Sequence, residues 1–69
     1  MIEVFKTNVK EKASAEMILS ALVHSFPTIK PNFDLEDCDH VLRVEGSEFT
    51  TTEIVNLLQS KGYYCEMLN

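Results

Sequence analysis

The sequence predicts an α+β sandwich of element order βαββαβ, with an antiparallel four-stranded sheet in spatial order 4-1-3-2 and both helices on one face. Three observations lead there. Apolar and polar residues alternate in four short runs, near residues 2–9, 29–36, 41–45 and 63–68, which is the period of half-buried strands. In two longer runs, near 12–26 and 50–62, apolar residues recur at three- and four-residue steps, the period of a helix stripe. Right-handed crossovers then leave few ways to close that order around one core.

The first run, IEVFKTNV, carries β-branched and aromatic residues and ends where charge begins at Lys10. Ala15, Ile18, Leu19, Leu22 and Phe26 form the stripe of the first helix, and Pro27 stops it. In IKPNFDLE, Ile29, Phe33 and Leu35 fall on one side and Lys30, Asn32, Asp34 and Glu36 on the other. Pro31 lacks a ladder donor, so this strand is placed at a sheet edge. DCDH is a polar turn, and VLRVE the next strand, with Leu42 and Val44 sharing a face and Gly46 closing it. Thr50 and Glu53 match a capping box, Ile54, Leu57 and Leu58 make the second stripe, and Gly62 suits the left-handed position after a helix end. In YYCEML, Tyr63, Cys65 and Met67 alternate with Tyr64, Glu66 and Leu68.

These elements form a ferredoxin-like sandwich that uses residues 1–69 as one domain, because a chain this short buries only ~60% of its unfolded surface and has no second core to spare. A composition of 45% hydrophobic and 25% charged residues is that of a folded globular chain. The net charge of −5 repels phosphate backbones and anionic lipid. RNA recognition by this topology also needs aromatic rings on the open face of the central strands, where alternation puts Ile2, Val4, Val41 and Arg43. No nucleic-acid partner is expected. No apolar stretch approaches the ~20 residues of a membrane span, so no membrane insertion is expected either. The start MIEVFKTNV has neither a basic leader nor an apolar run, and two cysteines are too few for a secreted scaffold, so the expected location is cytoplasmic.

A strand running into a short loop, a helix with Ala15, Ile18 and Leu22 inward, then FDLEDCDHVLRVEG, a capped helix and KGYYCEML together resemble the heavy-metal-associated domain of copper chaperones and metal-pumping ATPases. The resemblance covers nearly the whole chain. It implies the same sandwich, and it implies that the family's Met-x-Cys-x-x-Cys loop falls on Val9, Glu11 and Ser14. Both cysteines of that loop are missing. Soft Cu(I) is held by two thiolates, for which neither a carboxylate nor a hydroxyl substitutes, so no cofactor is expected at this loop. By the same resemblance Val9 takes the buried place of the motif's methionine, while Glu11 gains from the helix dipole.

Two places could carry function. The topology brings the 8–13 loop, the EDCDH turn and Lys61–Gly62 to one end of the sandwich. There Cys38 and His40, with Asp39 and with Glu11 across the same end, form an alternative zinc or copper site. A structural zinc wants four ligands, however, and a polar hairpin turn with a free thiol is the simpler account. Cys65 is expected to be a small buried hydrophobe, about two and a half strand spacings or ~12 Å from Cys38 and beyond disulfide reach. His24, off the apolar stripe, is expected in solvent.

The second place is the open sheet face. Ile2, Val4, Val41, Tyr64 and Leu68 lie there, bordered by Lys6, Lys30, Arg43, Glu45 and Glu66. An apolar centre with a charged rim is the make-up of an interface, although ordinary half-wet sheets also expose aliphatic side chains. VKEKA lacks the glycine and arginine of an acylphosphatase-type anion loop, and no nucleophile sits beside a base. The expectation is a non-catalytic interaction module that meets a protein partner or a second copy through Ile2, Val4, Val41, Arg43, Tyr64 and Leu68.

Overall fold

A computed structural model describes residues 1–68. Its elements are β1 (Ile2–Thr7), α1 (Lys12–Ser25), β2 (Lys30–Asp34), β3 (Val41–Glu45), α2 (Thr51–Ser60) and β4 (Cys65–Leu68). The strands lie in the order β2-β3-β1-β4, with every neighbouring pair antiparallel, which is the expected ferredoxin-like sheet. The register draws one row, Phe33, Leu42, Phe5 and Met67, across all four strands on the helix side. α1 packs over β2 and α2 over β4.

Between the layers, Phe5, Ile18, Leu22, Leu42, Ile54 and Leu58 are fully buried. Each such side chain contributes roughly 1.5–3 kcal/mol by leaving water, which in a domain this small makes the row and the two helix stripes the bulk of the stabilisation. Phe49, just before α2, joins them at 5% exposure although it belongs to neither stripe.

Three strands are shorter than their hydrophobic alternation, and each for an identifiable reason. β1 stops at Thr7 because the Val9 N–H turns back to the Thr7 hydroxyl at 3.2 Å, so Val9 is buried without being in the ladder. β2 begins at Lys30 because the Ile29 N–H is used by the Phe26 carbonyl, and it ends at Asp34, whose Oδ1 accepts from the Glu36 N–H at 3.2 Å in an Asx turn. β4 begins at Cys65 because the Tyr63 N–H caps α2 on the Leu58 carbonyl and the Tyr64 N–H goes to the Asn8 side chain.

α2 starts as the sequence predicts. Glu53 N–H donates to the Thr50 hydroxyl at 3.2 Å and Thr50 N–H to the Glu53 carboxylate at 2.9 Å. Past its end, Gly62 holds a φ of 90°, and Gly46, after β3, holds 140°.

Candidate functional site

Thr7 ties one end of the sandwich together. It is 3% exposed, its N–H donates to the Asp39 carbonyl at 3.1 Å, and its hydroxyl donates to the His40 carbonyl at 2.6 Å while accepting from Val9. One buried residue thus fastens the β2–β3 turn to the loop after β1. Asn8, one residue on, accepts from the Tyr64 N–H at 2.8 Å and fastens the same loop to the start of β4. The three connections therefore meet at this end, as the topology predicts. Thr7 itself was not singled out in the sequence, where its only signal is inward parity two residues after Phe5.

In the β1–α1 loop, Val9 is fully buried in the core. Glu11 is the exposed N-cap of α1, and its side chain makes no capping bond. Ser14 is half-buried in the first turn. Glu11 and Ser14, the two positions on which the sequence resemblance lays the cysteines of the heavy-metal-associated loop, present a carboxylate and a hydroxyl. These are hard oxygen donors, a set that does not fit soft Cu(I).

The 37–40 turn is built on Asp37. Its Oδ1 accepts from the Asp39 N–H at 2.8 Å and its carbonyl from the His40 N–H at 3.0 Å. His40 takes a left-handed φ of 45°. Ligand atoms of Asp37, Cys38 and Asp39 lie within 4.8 Å of one another, and neither His40 nor Glu11 belongs to that group among the described residues. His40 Nδ1 is buried and has no hydrogen-bond partner among those residues. Asp39 also pairs with Lys6 at 3.7 Å. Cys38 is exposed and Cys65 buried, both as free thiols, and burial pushes the Cys65 thiol up to about 11. His24 is exposed in the last turn of α1.

The other sheet face turns away from both helices. Register aligns Asn32, Arg43, Val4 and Leu68 in one row, with Ile2 opposite Glu45 in the next. Ile2 is 51% exposed and Tyr64 46%, while Val4, Val41 and Leu68 are half-buried. On this face Lys30 stands opposite Glu45 and Lys6 opposite Glu66 in the register, and Arg43 lies 3.8 Å from Glu45 on its own strand. Lys6, Lys30 and Arg43 balance Asp34, Glu45 and Glu66, so this face is neutral while the whole chain carries −5. The Glu66 carboxylate, two residues on and on the same face, raises the Tyr64 hydroxyl above its usual pKa by favouring the protonated form as a hydrogen-bond acceptor.

No protein-family model and no curated protein matches the chain. Among solved structures, the solution structure of the yeast copper transporter domain Ccc2A, determined in apo and Cu(I)-loaded states, matches with a TM-score of 0.84 at 17% identity. The match covers 99% of this chain and 94% of that one. At that identity the likeness is one of fold.

Proposed function

We propose that the protein is a non-catalytic interaction module of the cytoplasm, built on a heavy-metal-associated scaffold that has given up the thiolate loop, and that its open sheet face is the docking surface. One observation carries this reading. The face of Ile2, Val4, Val41, Arg43, Tyr64 and Leu68 is electrically balanced on a chain of net charge −5. A second copy or another protein approaches such a face without the repulsion that guards the rest of the surface. Tyr64 is the natural anchor, being large, exposed and polar only at its tip.

The test is light scattering and partner capture on the wild type, Val4→Lys and Tyr64→Ala, with folding checked by thermal melting. Both variants are expected to melt as the wild type does and to lose concentration-dependent association or the captured partner. A protein that stays monomeric at high concentration and whose partners survive both substitutions would overturn the reading.

A second reading rests on the grouping of Asp37, Cys38 and Asp39. It makes the 37–40 turn a zinc or copper carrier or sensor site. Under it, Zn²⁺ or Cu(I) shifts the amide signals of residues 37–40, and Cys38→Ser removes the response without changing the fold. Unmoved signals there dismiss it.

A further inference from the structure

A trough of about 520 Å³ runs between the first two turns of α1 and the edge strand β2. Leu19, Phe33 and Leu35 line it, each packed against the core and each only partly covered. Its charged lining is lopsided. Glu16 and Glu36 stand against Lys12 alone, a surplus of one negative charge, the Asp34 side chain belonging by register to the open sheet face. The positive end of the α1 dipole, worth about half a charge, offsets only part of that surplus. β2 closes the sheet on this side, so its outer main chain has no strand partner among the described residues, and Pro31 gives it one backbone donor fewer than it has carbonyls.

We propose that this trough is a second docking site, separate from the open sheet face, and that it takes a short extended basic segment of a partner protein. Apolar side chains of that segment complete the burial of Leu19, Phe33 and Leu35, and its lysines or arginines meet Glu16 and Glu36. An extended segment can also donate to the outward carbonyls of β2, the way peptides add to open sheet edges. Acidic segments are turned away by the same surplus that admits basic ones.

The test titrates the full chain, ¹⁵N-labelled, with a blocked hexapeptide of alternating lysine and leucine. Two control peptides replace every lysine by glutamate or every leucine by serine. Amide shifts confined to residues 12–19 and 30–36 are expected with the lysine–leucine peptide, and both controls bind weakly. The double variant Glu16→Lys/Glu36→Lys changes two exposed positions and is expected to weaken binding roughly tenfold or more. Val4→Lys, on the opposite face of the sheet, leaves it unchanged. Shifts spread over the whole acidic surface, equal binding of the lysine–serine peptide, or unchanged affinity in the double variant would each overturn the proposal.

Discussion

Thr7 shows how much one hydroxyl can settle. It satisfies a carbonyl 33 residues away and an amide two residues away, both at a buried position. Thr7→Val keeps the shape and strands both partners, so it is expected to cost about 1–3 kcal/mol in denaturant unfolding. The two cysteines differ in a way that is simple to read. Cys38 is exposed and Cys65 is 4% exposed, so a thiol reagent is expected to count one reactive sulfur in the native protein and two after unfolding. Native reactivity of both would show that β4 opens readily. Burial also raises the Cys65 thiol from 9.0 to about 11. Between those values the unfolded chain has ionised and the folded one has not, so the unfolded state binds fewer protons and stability falls as pH rises. The slope is at most ~1.4 kcal/mol per pH unit, and Cys65→Ala is expected to remove that part of the decline over the same window.

Among the elements, α2 is the one whose ends are most firmly defined by local chemistry. Its capping box satisfies two otherwise orphaned groups, and Thr50→Ala is expected to lower stability by ~1 kcal/mol, measured by chemical denaturation. The two glycines differ more than their shared positive φ suggests. A Cβ on Gly46 would stand 2.6 Å from the Thr28 carbonyl oxygen and 2.9 Å from the Ile29 Cα, both backbone atoms, whereas one on Gly62 meets nothing within 4 Å. Gly46→Ala is therefore expected to cost upwards of ~2 kcal/mol and Gly62→Ala only ~1 kcal/mol. Equal costs would mean that the β3–α2 connection shifts freely away from Thr28. Pro31 acts on a larger element. It keeps β2 at the margin of the sheet, and that margin is where the α1–β2 trough lies.

At the scale of the molecule, charge is distributed unevenly. The ion pairs Lys6–Asp39 at 3.7 Å and Arg43–Glu45 at 3.8 Å are both well exposed and add little to stability. The surplus of −5 is a long-range repulsion that salt screens. Melting followed from low to high salt is accordingly expected to rise modestly, since screening the surplus outweighs weakening the pairs. A fall would mean that these pairs matter more than their exposure allows. No helix among the described residues is long and apolar enough to cross a membrane.

The element order was legible in the sequence because it rests on short-range information, and the strand order followed from it through the handedness of crossovers. Period two and period 3.6 separate strands from helices, Thr50, Glu53 and Gly62 mark the ends of α2, and Pro31 marks an edge. The same alternation also assigned Ile2, Val4, Val41, Arg43, Tyr64 and Leu68 to one face. Tertiary structure alone decided where the ladders stop, since Val9, Ile29, Tyr63 and Tyr64 give their amides to Thr7, Phe26, Leu58 and Asn8 instead of to neighbouring strands. It alone put Phe49 in the core, set Lys30 opposite Glu45 and Lys6 opposite Glu66, and left a trough beside β2. Periodicity is a property of consecutive residues. Register, charge balance across a face and the fit of a helix on a sheet edge depend on residues tens of positions apart, which only the closed fold brings together.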